Sequence, residues 1–265
     1  MSGLSIKEFG LVIIESLGEN DKKTGTILHD EIIKYKKFQE PDLSSYIYQV
    51  VTKEELFKAI DEIIEKNMNN IFLPILHFET HGFEEGIVLK SKEIIEWKEL
   101  FSKTRELNIL LKNTLVLHLG MCKGEYIISK INPLERAPFK AIIGTSKNID
   151  EKKLLEAFEV FYDSFFFSFS PLEAVDKMNK AIDAEKKIFH LIMSDHCFDE
   201  IVNPNLNPSH LERIINQLAI HKKITNPRFE SADFEVVRKY IEDIITKRLS
   251  EIKFKKDYFT MTDLK

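Results

Sequence analysis

A chain of 265 residues with 43% hydrophobic content is long enough for one well-buried domain with an addition or for two small domains, which argues against disorder on a large scale. A net charge of -5 gives the chain as a whole no electrostatic reason to bind nucleic acid. No apolar run approaches the roughly 20 residues that span a bilayer, the N-terminus lacks a basic segment followed by an apolar core, and two cysteines make no disulfide framework, so the expectation is a cytoplasmic protein with both thiols reduced.

Along the chain, apolar β-type runs alternate with helical periodicity. Leu11 to Ile14 reads as a buried strand, followed by a helix that turns Ile27, Leu28, Ile32 and Tyr35 inward. Tyr46 to Val51 is a second strand. Thr52 and Glu55 then fit a capping box for a helix whose Leu56, Ile60, Ile63 and Ile64 share a face. Ile71 to Phe78 is the third strand, Phe83 to Lys90 suits a small hairpin, and a helix from near Ser91 turns Trp97, Leu100 and Phe101 inward. Thr114 to Leu119 and Ala141 to Ile143 are strands four and five. Helices over 151–169 and 171–186 precede a sixth strand at Ile188 to Met193, and on the first of them Phe158, Phe161, Tyr162 and Phe165 form a packing stripe. The alternation predicts an α/β fold, a mostly parallel six-stranded sheet with helices on both faces.

Past Asp195 the pattern changes. The stretch NPNLNPSH has loop composition, and helical patterns follow at 209–222 and 231–250. The reading is therefore one domain over 1–203 and a C-terminal helical extension over 204–265. The extension holds 12 Lys/Arg against 9 Asp/Glu, a net +3 beside -8 for the rest, and either caps a sheet edge or docks a regulator.

Two strand ends carry the chemistry. His81-Gly82 closes the run IFLPILHFETHG, and Cys122 sits in the turn Gly120-Met121-Cys122-Lys123-Gly124 that closes NTLVLHLGMCKG. A parallel sheet gathers its catalytic loops at such ends. A thiol near pH 7 is mostly protonated, so a cysteine nucleophile needs a histidine to hold the thiolate and to protonate the leaving amine. His81 and Cys122 supply that dyad if strands three and four are neighbours. Gly82 lets backbone approach a substrate carbonyl, and its N–H with that of Cys122 forms an oxyanion hole. The plain alternative is an inert buried thiol and a loop histidine.

Three other readings compete. His77 and His118 each precede a dyad residue by four positions and share its face on a period-2 strand, so the four residues could crowd into a zinc site; the short two-ligand spacings of most zinc sites are missing, and hydrogen-bonded strand histidines are the simpler account. His196-Cys197 on an extended chain points to opposite faces, a poor dyad, which makes Cys197 structural. The third is a non-catalytic interaction protein that uses the extension. Nucleotide binding has neither G-x-G-x-x-G nor G-x-x-x-x-G-K-[ST] to support it.

THGFEEGIVL followed by LHLGMCKG resembles the His-Gly hairpin and the Q-A-C-x-G nucleophile turn of caspase-like peptidases of clan CD, and AIIGTSKNIDEKKLLEAFEVFYDSF followed by PLEAVDKMNKA is similar to the end of the CHAT domains, their prokaryote-rich relatives. The resemblance covers roughly residues 8–195. It implies a caspase-like fold and a cysteine endopeptidase with His81 as general acid/base, Cys122 as nucleophile, oxyanion N–H groups from Gly82 and Cys122, and no metal or organic cofactor. It further implies a protein substrate, a regulatory protein partner and a role as a regulated effector, including in antiviral defence. In this fold the loop after the fifth strand lies beside the nucleophile turn, making Ser146, Lys147 and Asp150 candidate walls for the residue preceding the cut. Two residues before the nucleophile, caspases carry Gln and metacaspases Asp. This chain has Gly120, so their substrate preference does not transfer.

Overall fold

The run Leu11-Val12-Ile13-Ile14 lies inside strand β1 (Glu8–Ser16) of the computed structural model, which describes residues 8–36, 38, 43–69, 72–182, 187–202 and 208–264. All four side chains are buried, as a strand flanked on both sides and covered on both faces requires. A helical segment follows: α1 (Thr24–Ile27), a π-helical stretch (Leu28–Ile33) and α2 (Lys34–Lys36). The wider π turn brings positions five apart onto one face, so Leu28 and Ile33 are buried while Tyr35, expected inward on α-helical spacing, is 64% exposed.

Strand β2 (Leu43–Gln49) starts and ends earlier than the expected Tyr46 to Val51, and Val51 is exposed in the turn into α3 (Lys53–Asn69). The capping box holds: Thr52 Oγ1 accepts from the Glu55 N–H at 3.3 Å, and the Glu55 carboxylate accepts from the N–H groups of Val51 and Thr52. Ile71, the expected start of the third strand, lies outside the described residues. Strand β3 (Phe72–Gly82) runs through His81-Gly82 rather than stopping at Phe78, because its end pairs with a short antiparallel strand, β4 (Gly86–Val88), His81 against Val88 and Gly82 against Ile87. The helix expected near Ser91 begins later. The chain first turns at Lys92, with φ at 74°, into β5 (Ile94–Glu96), and α4 (Trp97–Leu110) then opens on a capping box between Glu96 and Glu99.

Then come β6 (Val116–Gly120), a 3-10 turn (Gly124–Lys130), β7 (Ala141–Thr145), α5 (Glu151–Ser168), α6 (Pro171–Ala181) and β8 (Phe189–Met193). Residues 183–186, the expected end of the helix before β8, lie outside the described residues. The main sheet runs β2-β1-β3-β6-β7-β8, parallel except for β8, which is antiparallel to β7. These are the six expected strands, but the sheet has eight, since the β4–β5 hairpin joins it through β3. On one face Leu11, Ile13 and Ile143 pack with Leu28 and Ile33 of the π-helix, Phe158, Phe161 and Tyr162 of α5, and Ala174 and Met178 of α6. The alternate residues Val12, Ile14, Leu76, Phe78, Leu117 and Ile142 are buried on the other face, covered from the side of α3 and α4, which pack on each other.

Contacts divide the chain into one unit of Met1–Asn132 with Ala137–Ser194 and another of Pro133–Arg136 with Asp195–Lys265, where composition set the boundary near residue 203. Helix α7 (Ser194–Val202) follows β8 without a break, so no linker composition marks the change. The Asn/Pro-rich stretch at 203–207 lies outside the described residues. In the second unit α8 (Pro208–Thr225), α9 (Pro227–Glu230) and α10 (Phe234–Phe259) enclose Ile215, Ala219, Val237 and Ile241. Arg136 rests on the Tyr258 ring, 3.9 Å to its centroid, and grips the Asp263 carboxylate with both guanidinium nitrogens.

The start of β6, the strand that delivers the nucleophile turn, hangs on one buried amide. Asn108 Oδ1 accepts from the Leu115 N–H at 3.1 Å, and its Nδ2 donates to Ala137 O at 2.8 Å and to Asn113 Oδ1 at 3.0 Å. Asn108→Ala strands a buried N–H and a buried carbonyl at about 1–3 kcal/mol each. Urea unfolding is expected to show a loss of at least about 2 kcal/mol; an unchanged midpoint would contradict this anchoring role.

Candidate active site

Parallel pairing of β3 with β6 sets His77 opposite His118 and Glu79 opposite Gly120. Two residues further along stand His81, still on β3, and Cys122, in the turn just past β6. The two chains touch here through backbone. A side chain at Gly82 would collide with the Cys122 carbonyl oxygen and come within 2.8 Å of Met121 Cγ. Only glycine lets the strand carrying the histidine lie against the cysteine turn. The turn continues through Lys123 in the left-handed region, φ 55°, and the Lys123 N–H donates to Lys147 O at 3.1 Å, tying it to the loop after β7.

His81, Gly82, Gly120, Met121 and Cys122 line one cavity of about 150 Å³. Asp21, in the loop after β1, faces His81: its Oδ2 is 2.8 Å from His81 Nε2 and also accepts from the Gly18 N–H at 2.6 Å. The hydrogen bond from His81, assisted by that of Gly18, holds the Asp21 carboxyl below its ordinary range. With Nε2 so occupied, Nδ1 is the imidazole nitrogen left for proton exchange. Cys122 is half-buried, and its sulfur meets the Ile149 peptide, accepting from the N–H at 3.4 Å and donating to the carbonyl at 3.5 Å. Among the described residues the sulfur makes no hydrogen bond to His81.

Behind the cavity runs a buried polar line. Thr24 Oγ1 donates to Glu79 Oε2 at 2.7 Å; Glu79 Oε1 is 2.7 Å from His77 Nε2; His77 Nδ1 and His118 Nδ1 lie 2.8 and 2.7 Å from the single Tyr162 hydroxyl. One phenolic proton serves two imidazoles, so with the Glu79 carboxylate accepting from His77 Nε2–H, Tyr162 donates to His77 Nδ1 and accepts from His118 Nδ1–H. Burial, with His77 alongside, holds His118 well below the ordinary histidine range, and burial with the Glu79 charge pushes the Tyr162 hydroxyl well above its own. His77 and His118 are thus bound to Tyr162 rather than gathered around Cys122. Among the described residues no group of three or more His, Cys, Asp or Glu side chains forms a metal-holding cluster.

Other expected sites move. The loop after β7 does lie beside the nucleophile turn, but the side chains against the cavity are Ile149, Glu151 and Leu154, not Ser146, Lys147 or Asp150. Asp150 is instead the N-cap of α5, accepting from the N–H groups of Lys152 and Lys153. His196-Cys197 is helical, not extended. It falls in α7, where His196 pairs with Glu200 at 3.2 Å and Cys197 is buried, with desolvation and the Glu200 charge pushing its thiol up to about 12. Among the cavity residues that escaped the sequence reading are Asp21 and Glu79. Asp21 sits in the charged loop GENDKK, where nothing singles it out; Glu79, a lone acid inside the apolar run ILHFET, was a legible signal.

Compared with protein-family models and with curated proteins, the sequence matches none. Among the described residues no helix is long and apolar enough to cross a membrane.

Because the folded Asp21 carboxyl titrates below its ordinary value, the stabilisation it contributes is complete above the unfolded Asp range, near pH 3.9, and fades as pH falls through the lowered folded value. Carboxyl NMR titration is expected to find Asp21 below the ordinary Asp range in the wild type and shifted upward in His81→Ala. Equal values in the two proteins would show that the Asp21–His81 bond does not persist in solution.

Proposed function

We propose that this protein is a cysteine endopeptidase that cleaves protein substrates with Cys122 as nucleophile and His81 as general acid/base. The observation that carries the reading is the shared cavity, in which a glycine-enabled backbone contact brings the histidine strand against the cysteine turn. The resemblance of THGFEEGIVL and LHLGMCKG to caspase-like peptidases supports it independently of geometry.

In the proposed reaction the Cys122 thiol passes its proton to His81 Nδ1, and the thiolate forms a bond to the scissile carbonyl carbon. The Ile149 N–H, already aimed at sulfur, helps hold the anion. The carbonyl oxygen takes the negative charge and is met by the N–H groups of Gly82 and Cys122. His81 then gives its proton to the departing amine as the C–N bond breaks, leaving a thioester on Cys122. Water, deprotonated by His81, cleaves the thioester and restores the thiol. Asp21 has a role the dyad alone lacks: by accepting from Nε2 it fixes the tautomer that presents Nδ1 and stabilises the imidazolium once formed, as the acid of a Ser-His-Asp triad does. No step in this scheme draws on a metal or organic cofactor. Action in the cytoplasm as a regulated effector, with a protein partner and in antiviral defence, belongs to the same proposal and rests on the resemblance alone.

Cys122→Ala and His81→Ala are each expected to remove essentially all peptide turnover while leaving thermal unfolding within a few degrees of wild type, since members of one nucleophilic unit fail together. Asp21→Asn is expected to lower kcat about 10- to 1000-fold with little change in KM. Cys197→Ala keeps its activity. A folded Cys122→Ala variant that still cleaves would end the assignment.

A further inference from the structure

The cavity beside the dyad has the character of a slot for one long cationic side chain. Its lining includes the apolar Leu17, Met121, Ile149 and Leu154 together with the buried Thr24, Gly120 and Glu79. Glu79 is 1% exposed, a carboxylate withdrawn from bulk water yet part of the cavity lining beside these apolar side chains. Two donors, Thr24 Oγ1–H and His77 Nε2–H, hold one lone pair on each oxygen and leave the others for a further donor. Gly120 keeps the space against that carboxylate open. A methyl group at position 120 would lie 2.6 Å from Glu79 Oε1 and 2.7 Å from His77 Nε2, so any larger residue there would occupy the approach to the carboxylate.

The remaining charges sort by position. The Asp21 carboxylate is committed to His81. Lys22 and Glu151 are exposed at the rim, where water screens both, and they carry opposite signs. Glu15, level with Glu79 on β1, is 3% exposed and spends its oxygens on the Thr26 N–H and hydroxyl, adding negative potential beside Glu79. Thus the buried end is anionic and the walls are apolar, which matches the aliphatic stem and charged head of lysine or arginine.

We propose that Glu79 selects a basic residue immediately before the scissile bond, taking over from the strand beside it the part that position 120 leaves vacant. The proposal rests on the cysteine-peptidase reading, because the slot is a specificity pocket only if Cys122 attacks next to it. Charge pairing in a desolvated slot separates a matched from an unmatched side chain by about 100-fold or more.

The test uses the full-length wild-type chain and fluorogenic peptides that differ only in the residue before the cut: Arg, Lys, Gln, Leu or Asp. Expected is cleavage after Arg and Lys at least about 100-fold faster in kcat/KM than after Gln, Leu or Asp. Glu79→Gln is expected to lose that preference while Cys122 is alkylated by iodoacetamide at the wild-type rate, the readout that its fold and nucleophile survive. Preference for Asp or Leu in the wild type overturns the cation slot yet leaves the peptidase standing. An unchanged Arg/Lys preference in folded Glu79→Gln overturns the role of Glu79. Should that variant not fold, the wild-type panel still decides for or against a basic residue. No cleavage of any peptide, with no labelling of Cys122 by an arginyl or aspartyl acyloxymethyl ketone, overturns both readings together.

Discussion

Parallel pairing of β3 with β6 in the register that puts Glu79 opposite Gly120 decides what the cavity contains. Side chains on a strand alternate between faces, so this register sends His77, Glu79 and His81 to the face covered by α5, and His118 with them. A slip of one residue would exchange that set for Phe78 and Thr80, burying aromatic surface where the polar line now lies and turning the histidine away from the cysteine turn. Apolar burial on both faces enforces the register, with Leu76 and Phe78 wholly buried on one side and His77 packed at 4.5 Å against the Phe158 ring on the other. The β4–β5 hairpin finishes the work by extending β3 through Gly82.

The same face carries a cost. Glu15, Glu79, His77 and His118 are all removed from water, and each would destabilise the fold without a partner. Tyr162 resolves this for both histidines with one hydroxyl, and Thr24 and Thr26 resolve it for the two acids. Helix α5 and helix α1, which directly follows the loop after β1, are thereby tied to the sheet at its C-terminal end. Asp21 belongs to that loop, so the contact that orients His81 is positioned by threonines anchored on buried carboxylates. A purely apolar core would hold the sheet as well; the polar line makes this end of the sheet adopt one arrangement.

Much of this was legible in the chain. The six main strands, the capping box at Thr52, the aromatic stripe of α5 and the meeting of His81 with Cys122 all follow from periodicity and from residues at strand ends. What escaped was what depends on three dimensions. Tyr162 reads as a core aromatic on helical spacing, and only the fold shows its hydroxyl between two histidines. Tyr35 misled because a π turn shifts the phase of the pattern. His196-Cys197 lies on an α-helix because the chain turns at Ser194 with no glycine or proline to announce it. Asp21 shares its loop with three other charged residues, Glu19, Lys22 and Lys23, and composition cannot say which of them turns inward.

The central claim is that Cys122 is a nucleophile served by His81 in one cavity. Its most direct measurement is the pH dependence of the rate at which a peptidyl acyloxymethyl ketone alkylates the intact protein, with the modified residue mapped by mass spectrometry. The account predicts modification of Cys122 alone, with a rate–pH profile that loses its histidine-dependent limb in His81→Ala. Modification of Cys197, or a Cys122 profile identical with and without the imidazole, would contradict it.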